Sequence, residues 1–221
     1  MPKVNSLSDL GFIKNYVFEV IVSTYGVDHK PNAAPMGVMS DDMNRLIIKP
    51  YTTTQTYRNI LLRKCAVINI TSDPVIYSKT AFKGENPDNR VPIDWFEKAD
   101  LIDAPKLKMV DACIEVRTIE IESAKGDRAK VLCEVVKIAP IVNITPKAYC
   151  RATFALIESI IQATRIEVFL SKDEKEKAEE LIKLVKYYDA LVKRVAPSSV
   201  YLDIMKGILK RIEAWKVKRE L

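Results

Sequence analysis

Hydrophobic positions change their spacing near residue 145. Before that point apolar residues alternate with polar ones or gather in short β-branched runs. After it they recur every three or four residues, the period of a helix face. The pattern predicts an α+β chain with domains over residues 1–144 and 145–221. Six strands are expected: Tyr16–Ser23, His29–Met39, Arg45–Lys49, Cys65–Thr71, Lys108–Glu122 and Arg128–Ile138. Pro31 and Pro35 restrict the second to an edge or a bulge, because proline gives no N–H to a ladder. Ala124–Asp127 joins the last two strands as a hairpin. Between the third and fourth, Thr54–Arg63 carries a helical pattern with Tyr57, Ile60 and Leu61 on one face. Asp73-Pro74 starts a short helical turn through Ala81. Residues 83–106 read as loop, with Trp95-Phe96 capping the core or packing on a partner.

Three helices follow. Thr145-Pro146 places an N-cap before a first-turn proline, and that helix runs to about Arg165. Ser171-Lys172-Asp173-Glu174 reads as a capping box opening a helix with the stripe Leu181, Leu184, Val185, Tyr188 and Val192. Pro197-Ser198-Ser199 separates it from a last helix with Ile204, Ile208, Ile212 and Trp215 on one face. The last two helices are expected to pair as an antiparallel hairpin.

Composition narrows the function classes. Only 6 of 221 residues are glycine, which argues against a glycine-rich dinucleotide fold, and no P-loop sequence occurs. The single histidine, His29, leaves no Ser-His-Asp or Cys-His arrangement and no ordinary zinc set. Cys65, Cys113, Cys133 and Cys150 are widely spaced and read as buried free thiols. The formal charge of +6 is dispersed among acids, so nucleic acid is disfavoured as a partner. No signal peptide and no membrane-length apolar run are evident, and a cytoplasmic protein is expected.

The candidate chemistry lies in residues 32–72. Thr52, Thr53, Thr54 and Thr56 stand where a strand hands over to a helix, where free N–H groups and the helix dipole can receive a phosphate. The same threonines also suit an over-capped helix start, and the residues alone favour neither reading. Arg58 and Arg63 are candidate counter-charges. Asn32, Ala33, Ala34, Pro35, Met36 and Gly37 form a strand of low bulk along which a flat ring can approach the backbone; close strand packing explains the same smallness. Asn69 and Thr71 alternate with Val67, Ile68 and Ile70 and could line that ring, or form a satisfied buried polar pair. Arg151, Glu158 and Arg165 recur every seven residues on an otherwise apolar helix. Arg151 or Arg165 could reach a phosphate or an acid across a dimer interface, or simply face solvent. A phosphate-competent turn beside a low-bulk strand suggests a mononucleotide-type cofactor, FMN.

These residues carry a resemblance. Asn32–Val38, Thr52–Asn59 and the VINITSDP run Val67–Pro74 resemble the flavin-reductase-like FMN-binding split barrels, and the whole chain is similar to an archaeal domain-of-unknown-function family (DUF447) of that superfamily. Pro105-Lys106-Leu107-Lys108 with Val110, Ala112 and Cys113, and Arg151-Ala152 through Thr164-Arg165, fit the same pattern. The resemblance implies a six-stranded antiparallel split β-barrel with a C-terminal helical extension, and FMN at or near a homodimer interface. It would place Asn32–Val38 beside the isoalloxazine, Thr52, Thr53, Thr54 and Thr56 on the phosphate, Asn59 in support of the turn, and Asn69 and Thr71 on the adjoining strand. The helical tail departs from better-known flavin reductases and could cover the face where a nicotinamide would stack. The expected function is therefore a flavin-dependent oxidoreductase or reductase-like protein, with NAD(P)H a possible donor. A flavin carrier or sensor is the alternative, and a nucleic-acid-binding protein a third.

Overall fold

The computed structural model describes residues 5–15, 17–122, 126–140 and 151–218. The chain divides into two compact units, Met1–Thr71 with Phe82–Thr145, and Ser72–Ala81 with Pro146–Leu221.

The first unit is a barrel. Its strands are β1 (Val17–Tyr25), β2 (Pro31–Met39), β3 (Arg45–Ile48), β4 (Cys65–Ile70), β7 (Ala112–Glu122) and β8 (Lys130–Pro140). They close in the order β1-β2-β3-β8-β7-β4, every pair antiparallel. The ladders are unequal. β1 and β2 pair over nine positions, from Val17↔Met39 to Tyr25↔Pro31. β2 and β3 pair only at Val38↔Ile48 and Met39↔Ile47. The barrel is therefore split, and among the described residues the side of β2 away from β1 has no strand partner from Pro31 to Gly37. Pro31 and Pro35 lie on this edge strand, where a missing N–H is tolerated.

Period-two alternation builds the interior. Val20 and Val22 on β1 and Val38 on β2 meet Leu46 and Ile48 of β3, Ala66 and Ile68 of β4, Ile114 and Val116 of β7, and Val131 and Cys133 of β8. Fully burying one such isoleucine or valine contributes about 1.5–3 kcal/mol. Helix α1 (Gln55–Arg63) adds Ile60 to the same core. Leu61, expected on the inner face with Ile60, is 40% exposed.

Residues 83–106, expected as loop, contain three 3₁₀ turns and a two-stranded ribbon of β5 (Phe96–Lys98) and β6 (Pro105–Leu107). Three-residue strands are too short to show an alternation. The ribbon is held by a side chain far away in sequence, Asn69, described below.

The second unit is helical. It combines α2 (Pro74–Ala81) with α3 (Arg151–Ser171), α4 (Lys175–Val195) and α5 (Val200–Val217). A cut at residues 144/145 would leave α2 in the barrel. In the structure α2 packs on α3 and α5 through a face that includes Ile76 and Tyr77. The expected capping box is not formed. Ser171 ends α3, donating its hydroxyl to the Val168 carbonyl, and Glu174 at the N-cap of α4 makes no side-chain cap. α3 continues six residues beyond Arg165, through Ile166, Val168, Phe169 and Leu170, and takes Ser171 as its last residue. The buried stripe of α4 is Ala178, Ile182, Val185, Asp189 and Val192, so Leu181, Leu184 and Tyr188 flank the contact instead of centring it. α4 packs chiefly on α3, and less on α5 than a simple hairpin would require. Thr145-Pro146 and Cys150 lie outside the described residues.

Candidate functional site

α1 closes one end of the barrel, and polar side chains tie it there. Thr54 is its N-cap: the hydroxyl accepts from the Tyr57 N–H at 3.3 Å and donates to the Tyr51 carbonyl at 2.7 Å. Two further bonds fix the helix to the strands. Asn59 Nδ2 donates to Thr24 Oγ1 of β1 at 3.0 Å, and Asn32 Nδ2 of β2 donates to Thr56 Oγ1 at 3.1 Å. Asn59 Oδ1 accepts from Gln55 Nε2 at 2.6 Å. Thr24, Thr56 and Asn59 are all buried, so each bond satisfies a group that water cannot reach.

Beside this plug lies a cavity of about 440 Å³. Its walls are the β1–β2 turn (Gly26, Val27, Asp28 and Lys30) with Pro31 and Asn32, the Gln55 and Asn59 face of α1, and Lys83, Asn89, Arg90 and Val91. The turn is braced from behind by Arg63, which donates to the carbonyls of Gly26 at 3.0 Å and Val27 at 3.4 Å and pairs with Asp103 at 3.3 Å. The size is within the usual range for small-molecule sites, and the lining is mostly polar and charged, with Val27, Pro31 and Val91 its apolar part.

The charges in the cavity do not cancel. Asp28 is held by Lys30 at 2.6 Å, and its carboxylate is lowered below the usual range by the Lys30 side chain. Lys83 has no carboxylate partner among the described residues. Its Nζ donates to Asn32 Oδ1 at 2.5 Å, and burial pulls its ammonium down to about 8. Arg90 faces the same space and is likewise without a carboxylate partner among the described residues. A partly desolvated ammonium beside a guanidinium makes the cavity attractive to an anion.

The residues singled out from sequence separate into groups. Asn32 and Asn59 line the cavity, and Thr56 is bonded to Asn32. Thr52, Thr53 and Thr54 are not on its walls: Thr52 bonds the Asp127 carbonyl, Thr53 is exposed with its carbonyl held by Arg58, and the Thr54 hydroxyl is spent on capping. Ala33, Ala34, Pro35, Met36 and Gly37 lie along the strandless side of β2. Smallness at Gly37 has a local cause, since a Cβ there would stand 2.8 Å from Val17 Cγ1 of the facing strand.

Asn69 does not present itself to a ligand. It is fully buried, its Nδ2 within reach of the Ile21 carbonyl, Ser23 Oγ and the Val67 carbonyl, and its Oδ1 accepting from the Leu107 N–H at 2.8 Å. This amide pins β6 to β1 and β4. Thr71 is half-buried just past β4. Arg151 belongs to the helical unit, where it is exposed at the start of α3; Arg165, on the same helix, bonds Gln162, which in turn bonds Glu158. Lys83 and Arg90 escaped the sequence reading because they sit in aperiodic chain. The only local cue was a lysine directly following a buried aromatic, Phe82.

Among the described residues no helix is long and apolar enough to cross a membrane, and no group of three or more His, Cys, Asp or Glu side chains is placed to hold a metal ion.

Comparison with known proteins agrees with this architecture. The structure is similar to that of an FMN-bound protein from Methanosarcina mazei, with 23% identity, a TM-score of 0.75, and coverage of 92% of this chain and 98% of the other. It is also similar to nitrilotriacetate monooxygenase component B from Bacillus cereus, at 14% identity and a TM-score of 0.50, covering 69% and 87% of the two chains. At these identities the likeness establishes the barrel fold. Two family profiles match the sequence: "Protein of unknown function (DUF447) N-terminal domain" over residues 18–141 and "Protein of unknown function (DUF447)" over residues 150–206. The first covers more than half of the chain, and on that ground the chain belongs to the DUF447 family.

Proposed function

We propose that this protein binds FMN and is flavin-reductase-like. The observation that carries the reading is the side of β2 from Asn32 to Gly37 that is without a strand partner among the described residues, next to a cavity with two cations that no carboxylate among the described residues answers. The residues fit the cofactor. Small side chains at Ala33, Ala34 and Gly37 keep the strand backbone within reach of a flat ring, whose pyrimidine edge needs alternating donors and acceptors. Asn32 stands where strand meets cavity, and the cations on the cavity wall suit a phosphate. The likeness in fold to an FMN-bound protein from Methanosarcina mazei supports FMN as the ligand.

Bound FMN would supply the redox chemistry, taking up a hydride and passing electrons to an acceptor. The chain's own part is to bind, orient and partly dry the ring. The one carboxylate on the cavity wall, Asp28, is engaged by Lys30, so no proton-transfer pair is evident there. That feature also favours a second reading, a flavin carrier or sensor whose helical unit serves as an interaction module. A homodimer with FMN near the interface, and NAD(P)H as electron donor, belong to the oxidoreductase reading.

An absorbance spectrum of the purified protein, followed by heat release and identification of the chromophore, tests the proposal. Released FMN supports it; a colourless protein that also fails to bind added FMN and riboflavin sinks it. Anaerobic addition of NADH or NADPH then separates the readings. Bleaching with turnover supports an oxidoreductase, and full occupancy without reduction supports a carrier. Sedimentation of the holoprotein checks the dimer.

A further inference from the structure

We infer that Lys83, assisted by Arg90, is the phosphate anchor of this site, and that this pair, not the threonine turn, makes the site selective for a phosphorylated flavin. The inference rests on the flavin reading above and names the groups that read the phosphate.

Consider first what the threonines have left to offer. The hydroxyl of Thr54 already gives its proton to the Tyr51 carbonyl and accepts the Tyr57 N–H. Thr56 is buried and accepts from Asn32. Thr52 is directed to the Asp127 carbonyl across the barrel end. The Thr52 and Thr54 hydroxyls are spent on these bonds, and recruiting either to a ligand would undo one of them; Thr53 is exposed and Thr56 buried, and neither is on the cavity wall. A helix N-terminus so capped has less to give an anion than its sequence promises.

Lys83 is in the opposite condition. Four charged residues line the cavity: Asp28, Lys30, Lys83 and Arg90. Asp28 and Lys30 neutralise one another at 2.6 Å. What is left is the charge of Lys83 and Arg90, close in magnitude to the roughly −1.5 to −2 of a phosphate monoester near neutral pH. Lys83 is also positioned. Its Nζ rests on Asn32 Oδ1 at 2.5 Å, and the other end of that amide donates to Thr56 on α1. The ammonium is thus oriented through a three-residue chain whose far end, Thr56 of α1, is buried. A desolvated cation held by a neutral acceptor is costly by itself, and an arriving dianion relieves the cost. Arg90, exposed on the cavity wall, adds a planar donor set suited to phosphate oxygens. Riboflavin would offer the ring and the ribityl chain but no partner for these cations.

The test is flavin titration of the unaltered apoprotein and of Lys83→Gln, Lys83→Arg, Arg90→Gln and Thr54→Val, with circular dichroism confirming that each is folded. The unaltered protein is expected to bind FMN at least thirtyfold tighter than riboflavin. In Lys83→Gln that preference drops at least tenfold, entirely through FMN, with riboflavin affinity unchanged within twofold. Lys83→Arg keeps most of the preference, Arg90→Gln loses about threefold, and Thr54→Val keeps it. Inorganic phosphate should compete with FMN but not with riboflavin in the unaltered protein. An undiminished FMN preference in both Lys83→Gln and Arg90→Gln overturns the anchor while leaving the flavin reading intact. So does equal affinity of the unaltered protein for the two flavins. Failure of both flavins to bind the unaltered protein overturns the flavin reading and the anchor with it.

Discussion

Replacing Asn69 by leucine separates a structural residue from a ligand contact. The side chain is fully buried, and its amide ties together three strands, β1, β4 and β6. Leucine keeps the branched shape but is bulkier, and it can neither accept from the Leu107 N–H nor donate toward the Ile21 carbonyl and Ser23 Oγ. A buried donor left without a partner costs about 1–3 kcal/mol, and the stranded acceptors add about 1 kcal/mol each. A loss of about 3–5 kcal/mol is expected, large for a single change. Trp95 is the natural probe, because it precedes β5, and the Trp95 carbonyl accepts from Lys108 just beyond β6. In a Trp215→Phe background it is the only tryptophan, so its fluorescence follows the barrel unit. With a urea slope of about 1–3 kcal/mol per molar, the midpoint should fall by about 2 M. FMN affinity of the protein that remains folded should change by less than threefold. A stability loss under about 1 kcal/mol with FMN binding weakened tenfold would show that Asn69 serves the ligand, and would refute this reasoning.

Lys83 is lowered from 10.5 to about 8 by burial, so between those values the unfolded chain binds more protons than the folded one. The flavin-free protein should therefore gain stability as pH rises from about 8 toward 10.5, whereas FMN binding should weaken over the same rise as Lys83 loses its proton. Melting curves and FMN titrations at pH 7.5 and 9.5 check both signs, and Lys83→Gln should remove both slopes. Gly37→Ala places a Cβ against Val17 Cγ1 and should cost about 1–3 kcal/mol, with part of the loss recovered in Val17→Ala/Gly37→Ala. Cys113 and Cys133 are pushed up to about 12 by burial and Cys65 is raised by the same cause. Mass spectrometry after iodoacetamide treatment at pH 8 should show these three unmodified in native protein and alkylated after unfolding. Thr54→Ala should cost about 1 kcal/mol as a lost helix cap.

Much of the fold was legible from local pattern because its causes are local. β-branched runs in Val17–Tyr25, Cys65–Ile70 and Lys130–Pro140 favour an extended backbone whatever lies opposite, and Thr54 marks the start of α1 by a bond within one helical turn. Pro31 and Pro35 likewise declared β2 an edge, since no distant contact can restore a missing N–H. The same sequence left several choices open because tertiary contacts make them. Whether Asn69 faces a ring or a carbonyl depends on β6, 36 to 38 residues further on, whose three-residue length carries no period of its own. The grouping of α2 with the C-terminal helices, and the rotation of the α4 stripe onto Ala178 and Ile182, follow from which faces meet in packing, and a single helix cannot announce its partner. The cavity is the clearest case. Asn32, Thr56 and Lys83 are separated by 24 and 27 residues, and only the closure of the barrel end by α1 sets them in one hydrogen-bonded line. Local sequence determined which segments become strand and helix. The charge left over at Lys83 and Arg90 was decided by the fold, because burial and pairing are properties of neighbours in space.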